Sequence, residues 1–296
     1  MVMCMSFASN VKKELCDLEL EEICCVRAEL TGIFCFGAQI SRELIKINTE
    51  NSSVAGRICL LTERLYNIKT TPQVRNSGTY TVKLSGSDVL KMLRDMRIAA
   101  VPIRIEHEIV RRECCKMAFI RGAFLGGGSI SAPEKGYHLE LVTGLHNLCR
   151  DFSAVSEHFG IATGLINRKG NYVFYIKDSE QIQDFLTVAG AHRQMMEFLN
   201  VKIEKEVRNA TNRRVNCETA NAEKSAEAAV LQAMAIKTIE QKLGLDSLPP
   251  QLEEIARLRM ENVEASMSEL ALALSLTKSG VNHRMRKILK IAEELG

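Results

Sequence analysis

Two stretches of this chain run in parallel, ELTGIFCFGAQI from Glu29 to Ile40 and FIRGAFLGGGSI from Phe119 to Ile130. Each is an apolar run of helical character with an internal glycine, ending in a break of small residues. Gly32 and Gly122 stand 90 positions apart. An internal repeat constrains a fold more tightly than any single element, because it dictates which elements must share one core.

The segments after these two stretches are also alike. The first is succeeded by an apparent strand, ISRELIKIN, the helix SVAGRICLLTERLYN, two strands (IKTTPQV and TYTVKL) around the turn RNSG, and the helix SDVLKMLRDM. After the second come the strand YHLELVT, the helix LHNLCRDFSAVSEHFG, two strands (IATGLIN and YVFYIK) around RKGN, and the helix SEQIQDFLTVAG. Alternation with β-branched or aromatic content marks the strands, and apolar spacing near 3.6 marks the helices. Each repeat reads α-β-α-β-β-α, so the expected fold class is α+β with a pseudo-twofold axis.

Alternation also predicts which strand faces are buried. Tyr80, Val82 and Leu84 match Tyr172, Phe174 and Ile176, and both trios should pack beneath a sheet. The opposite face carries Thr81, Lys83 and Ser85 in the first repeat, but Val173, Tyr175 and Lys177 in the second. One open face is therefore expected to be more polar than the other.

The triplet Gly126-Gly127-Gly128 raises a nucleotide loop as a possibility and then argues against it. Phosphate cradles run strand, glycines, helix, and a P-loop adds Gly-Lys-Ser/Thr. Here the order is helix, glycines, strand, with no lysine.

After Phe198 the aromatics end and charged residues and alanines dominate. A helix, HRQMMEFLNVKIEKEV, is expected to lead through a polar stretch into a long helix from about Ala220. Lys202, Lys205, Arg208, Arg213 and Arg214 outnumber Glu204 and Glu206 by three. That excess fits either a solvated linker face or phosphate contact.

Pro249-Pro250 marks a boundary, and beyond it come three short helical patterns, QLEEIARLRMEN, SMSELALAL and SGVNHRMRKILKIAEEL. The last two are joined by a tight turn around Ser275-Leu276-Thr277, which is helix-turn-helix spacing. Val281, Met285, Ile288, Ala292 and Leu295 form an apolar stripe; His283, Arg286, Lys287 and Lys290 form a basic one. Between Thr277 and Ala292 there are five Lys or Arg and no acid. Lys278, Ser279 and Asn282 stand near the start of that helix, where side chains reach base edges, and Arg284 adds to its charge. Expected DNA-binding residues are therefore Lys278, Ser279, Asn282, His283, Arg284, Arg286, Lys287 and Lys290. Arg42, Lys46, Arg75, Lys83, Arg208, Arg213 and Arg214 are candidates for further contacts.

A net charge of +3 is too small to argue for nucleic acid without this local clustering. With 46% hydrophobic and 25% charged residues, the chain has the balance of a folded protein. No apolar run is long enough to span a bilayer, and MVMCMSFASNVKKELC lacks a signal-type apolar core, so a cytoplasmic protein is expected. The ten cysteines include two adjacent pairs, Cys24-Cys25 and Cys114-Cys115, but no C-x-x-C. The reading is of buried reduced thiols, and the spacing lends little support to a zinc site or any other metal or cofactor. No membrane or small-molecule substrate is expected as a partner.

Two such α-β units, each opened by a glycine-bearing helix, resemble the LAGLIDADG homing endonuclease fold, in which two halves of a saddle pack through those helices. Gly32 and Gly122 would be the contact points, since glycine in a helix is tolerated where two helices approach closely. In that family each motif carries an Asp or Glu that holds catalytic divalent cations. The matching positions here are Gly37 and Gly127, which have no side chain to offer. Glycine at a helix C-terminus is the default cap, so ordinary helix termination is expected there. Glu43, Glu134 and Glu140 fall in the following loop or strand. A divalent-metal endonuclease using such substituted acids is the alternative reading.

The glycine-substituted pair of motifs, the segments NRRVNCETANAEKSAEAA (Asn212 to Ala229) and KSGVNHRMRKI (Lys278 to Ile288), and SFASNVKKEL (Ser6 to Leu15) together resemble the WhiA family. That resemblance implies a DNA-binding transcriptional regulator without nuclease activity, tied to cell division and chromosome segregation, and to sporulation in some relatives. Its partners would be double-stranded DNA and transcription or cell-division proteins, and its place the nucleoid. It leaves open whether the saddle binds DNA or protein. The expected organisation is an N-terminal region with the first repeat (1–110), the second repeat (111–190), a helical linker (191–245) and an all-α helix-turn-helix domain (246–296).

Overall fold

The computed structural model describes residues 6–76, 78–99 and 102–295. The first five residues of the expected signal-free N-terminus, Cys4 among them, and Ser77 of the RNSG turn lie outside these. The chain divides into two compact units, residues 1–205 and 206–296.

The first unit opens with α1 (Phe7–Cys16) and α2 (Ile23–Gly37), followed by β1 (Ala38–Ile40), β2 (Leu44–Thr49), α3 (Ser52–Tyr66), β3 (Gln73–Val74), β4 (Tyr80–Ser85) and α4 (Ser87–Asp95). The second repeat continues as α5 (Glu113–Gly127), β5 (Gly128–Ile130), β6 (Leu139–Thr143), α6 (His146–Glu157), β7 (Gly164–Arg168), β8 (Asn171–Ile176) and α7 (Ser179–Ala189). Both sheets are antiparallel and share one topology, β1-β2-β4-β3 and β5-β6-β8-β7.

Each repeat thus has one strand more than α-β-α-β-β-α and reads α-β-β-α-β-β-α. The helices α2 and α5 run straight into extended backbone, with ψ of 145° at Ala38 and 149° at Gly128. ISRELIKIN is not one strand but the end of β1, a turn and most of β2, the turn being closed by Ser41 N donating to Leu44 O at 2.8 Å. The expected strand IKTTPQV shrinks to Gln73–Val74, because Pro72 has no N–H for the ladder.

The central helices α2 and α5 meet backbone to backbone. A Cβ built on Gly32 would lie 2.5 Å from Phe119 O, and one on Gly122 would lie 2.0 Å from Glu29 O. Gly126 is as tightly held, 2.6 Å from Ile33 O by the same measure. The glycines at the acid positions belong to this packing. A Cβ on Gly37 would stand 2.8 Å from Gly126 O, and one on Gly127 would stand 2.8 Å from Phe36 O. Neither adopts the left-handed conformation of a glycine cap, nor does Gly128, whose φ is −87°. Close approach of two helices, not helix termination, is therefore what requires glycine here.

Around this seam the repeats share one core. Phe36 of α2 sits edge-on to Phe152 of α6, with centroids 5.1 Å apart, and Phe152 meets Phe174 of β8 at 4.8 Å. Val82, Leu84, Phe174 and Ile176 are buried as alternation predicts, with Tyr80 and Tyr172 half-buried, but Thr81 and Val173 on the face expected to be open are buried as well. One charged group crosses the seam: Glu29, fully buried on α2, accepts from Arg57 Nε of α3 and Arg121 Nε of α5, each at 2.7 Å.

The cysteines do not remain separate. Cys24-Cys25 and Cys114-Cys115 occupy the first turns of α2 and α5, and their four sulfurs lie within 4.8 Å of one another. Spacing within either helix gives no hint of this, because the partners come from the other repeat.

The expected polar break near residue 210 is absent, and α8 runs unbroken from His192 to Lys242. No Gly or Pro interrupts those residues, and helix propensity carries the polar stretch. Its first amides are capped by a distant carboxylate, Glu14 of α1, which accepts from Arg193 N at 2.7 Å and Gln194 N at 2.9 Å.

The second unit holds the remainder of α8, a 3-10 turn at Leu245–Ser247, α9 (Pro250–Glu261), α10 (Met267–Ala273) and α11 (Lys278–Leu295). Pro250 occupies the first helical position of α9, where its missing N–H costs nothing. The core of this unit takes in Ile236 and Ile239 of α8 with Ile255, Leu270, Val281, Met285 and Ile288. Among the described residues no helix is long and apolar enough to cross a membrane.

Candidate nucleic-acid interface

The turn between α10 and α11 is specified residue by residue. Ser266 and Glu269 form a reciprocal capping box that starts α10, and the backbone N–H of Ser266 holds the Glu269 carboxyl below its ordinary range. Ser275 takes a left-handed φ of 52°, which reverses the chain, and Leu276 N returns to Ala271 O at 2.8 Å. Thr277 then starts α11, its Oγ1 accepting from Gly280 N at 3.1 Å and its carbonyl from Val281 N at 3.0 Å.

Val281, Met285, Ile288 and Ala292 bury one stripe of α11, and Leu295 is half-buried. Ser279, His283, Arg286, Lys287 and Lys290 are exposed, as is Lys278 at the start of the helix, with Asn282 half-buried beside them. At roughly 100° per residue, Ser279, His283, Arg286, Lys287 and Lys290 spread over about 100° centred opposite the buried stripe. Arg284 is the exception among the eight expected contacts. It turns back to α9, with Nη1 3.5 Å from Gln251 O and 3.9 Å from Glu254 Oε2. Lys290 keeps a loose, exposed pairing with Glu294 at 3.9 Å. Behind the interface, Arg259 is 1% exposed and ties the α9–α10 loop by donating to the carbonyl of Ala265 and, at 3.4 Å, to that of Val263.

In the first unit the register gathers some of the further candidates and leaves others apart. Lys46 and Lys83 are direct cross-strand partners on β2 and β4, with Gln39 of β1 continuing the row. The next row is Asn48, Thr81 and Gln73, with Thr81 Oγ1 donating to Asn48 Oδ1 at 2.9 Å. Like charges directly opposite on a sheet are unfavourable, and a bound anion would relieve them. Arg42 and Arg75 are exposed in the adjoining turns.

The matching face of the second sheet differs in chemistry. Its rows are Ser129-Glu140-Tyr175-Gly164 and Val142-Val173-Ile166. Glu140 is paired with His138 Nε2 at 3.1 Å, and Lys177 Nζ lies 5.1 Å from the Tyr175 ring centre. Gly164 is required by that ring, since a Cβ there would come within 2.3 Å of it. Glu43 and Glu134 are exposed in the β1–β2 and β5–β6 turns.

On α8, Arg208, Arg213 and Arg214 are all exposed but point in different directions, roughly 140° and 240° around the helix from the first. They cannot jointly follow one phosphate strand.

Family models and relatives agree with this architecture. The model of the WhiA LAGLIDADG-like domain matches residues 27–114 and again 116–208, and that of the WhiA C-terminal HTH domain matches 211–292. The chain is 43% identical to the probable cell division protein WhiA of Ruminiclostridium cellulolyticum and 39% identical to that of Alkaliphilus metalliredigens, each match covering 98% of both chains. Among solved structures, full-length DUF199/WhiA from Thermatoga maritima superposes with a TM-score of 0.64 at 27% identity, covering 99% of both chains.

Proposed function

The chain belongs to the WhiA family, and from that premise we propose that it is a DNA-binding regulator of cell division that does not cut its target. The observation that carries the proposal is α11, which sets Ser279, His283, Arg286, Lys287 and Lys290 opposite its buried stripe, at the position of the second helix of a helix-turn-helix. Its action is transcriptional, bears on chromosome segregation, and takes place at the nucleoid in the cytoplasm. Loss of cutting is supported by Gly37 and Gly127, whose Cβ positions are filled by the partner helix backbone.

Titrating the full chain with labelled duplex at several salt concentrations tests this. Binding should weaken steeply with salt, and Arg286→Ala or Lys287→Ala should each flatten the slope by about one. Binding by Arg286→Glu/Lys287→Glu as tight as that of the unaltered chain would overturn the assignment.

A second reading concerns the saddle, whose two sheets suggest a division of labour. The Lys46–Lys83 row suits phosphate, whereas exposed Ile166, at the edge of a row in which Val173 is buried and Val142 half-buried, suits a transcription or cell-division protein. Lys46→Ala/Lys83→Ala should then flatten the salt slope further, and Ile166→Glu should leave DNA affinity unchanged while abolishing a partner contact.

A further inference from the structure

Cys24 and Cys25 open α2, and Cys114 and Cys115 hold the equivalent positions of α5, so one sulfur pair comes from each repeat. All four Sγ atoms lie within 4.8 Å of one another, with Cys114 and Cys115 4.0 Å apart. Among the described residues no other group of His, Cys, Asp or Glu converges in this way.

Three features distinguish this cluster from thiols used as apolar filling. Cys114 is exposed and Cys24 half-buried, so half of the set contributes little to a core. The spacing suits a single ion: a tetrahedral centre with bonds of about 2.3 Å separates its sulfurs by roughly 3.8 Å, within small side-chain rotations of the distances here. A four-iron cluster holds its thiolates further apart, and hard cations prefer oxygen. The charge is also provided for. Four thiolates around a divalent ion leave a net negative centre, which faces the positive N-terminal ends of two helices and Arg112, whose Nη1 is 3.9 Å from Cys24 Sγ.

We propose that Cys24, Cys25, Cys114 and Cys115 form a tetrathiolate zinc site that joins the N-terminal ends of the two central helices. Binding forms four Zn–S bonds and releases the thiol protons to water, with no change in oxidation state. The metal would clamp the seam at the end opposite Gly37 and Gly127, and neither repeat could hold it alone.

The test uses the full chain, produced with added zinc and purified reduced without chelator. Elemental analysis should find about one zinc per chain, and exchange for Co(II) should give the intense charge-transfer and ligand-field bands of a tetrahedral tetrathiolate site. Cys24→Ser/Cys114→Ser should lower zinc content at least about tenfold, while Cys217→Ser, on the exposed α8, should keep it. Because a double variant could lose zinc merely by unfolding, the Co(II) spectrum of the unaltered chain is decisive. Four results would each overturn the proposal: less than about a tenth of a zinc per chain with no Co(II) thiolate bands; iron-sulfur absorption; a cross-helix disulfide among these cysteines in chains alkylated directly from cells; or undiminished zinc in a folded double variant.

Discussion

Arg121 of α5 reaches across the seam to Glu29 of α2, Nε to Oε2 at 2.7 Å, while Arg57 holds the other carboxylate oxygen. The carboxylate is fully buried, so its charge is balanced only by these guanidinium groups. Removing one partner of a buried pair leaves an uncompensated charge and costs about 3–5 kcal/mol. Glu29→Ala should therefore lower urea-unfolding stability by that amount. A loss under about 1 kcal/mol would mean that Arg57 and Arg121 reach water or other acceptors once the carboxylate is gone.

Two glycine-to-alanine changes should have opposite signs. Gly122→Ala sets a methyl 2.0 Å from Glu29 O and must force the helices apart, destabilising by about 1–3 kcal/mol or more. Gly56 lies within α3 with nothing near its Cβ position, so Gly56→Ala should stabilise by roughly 0.5–1 kcal/mol. Thermal melts of the two variants, compared with the unaltered chain, check both signs.

Restoring acids should not restore cutting. Gly37→Asp/Gly127→Asp places each new side chain against the backbone of the opposite helix, so the expected outcome is a lower melting temperature and no nicking of supercoiled plasmid with magnesium or manganese. Cleavage by this variant would show that the seam opens enough to form a metal site. Cleavage by the unaltered chain would instead revive the endonuclease reading.

Within α11, charge alone should not predict the effect of a substitution. Arg284 is engaged with Gln251 and Glu254 of α9, so Arg284→Ala should leave the salt slope unchanged where Arg286→Ala reduces it by about one. Equal effects of the two variants would mean that Arg284 leaves α9 when DNA binds.

Burial raises the thiols of Cys16 and Cys35 to about 12 and that of Cys149 to about 11. An unfolded chain ionises them near pH 9, whereas the folded chain keeps them protonated, so their contribution to stability falls as pH rises from about 9 through those values. The melting temperature should drop over that range, less steeply in Cys35→Ala. At pH 8 iodoacetamide should label exposed Cys217 well before Cys35 or Cys149.

The repeat, the helix contact at Gly32 and Gly122, and the buried stripe of α11 are legible in the sequence because each obeys a period that burial imposes. Strands β1 and β5 are not, since three residues are too few to show alternation. The glycine triplet reads wrongly as a cap because a left-handed turn and a close helix contact favour the same residue. The break expected in α8 rests on polarity, which says where a helix is exposed but not where it ends. The cysteine cluster leaves a usable signal: the same offset of 90 that superposes Gly32 on Gly122 superposes Cys24-Cys25 on Cys114-Cys115.

The carboxylate of Glu14 rests on the first amides of α8, contacts that join residues 179 and 180 positions apart. During synthesis, α1 must wait for these partners until both repeats have left the ribosome. A chain truncated before Arg193 would therefore lack the latch between α1 and α8, even with every strand of both sheets already made.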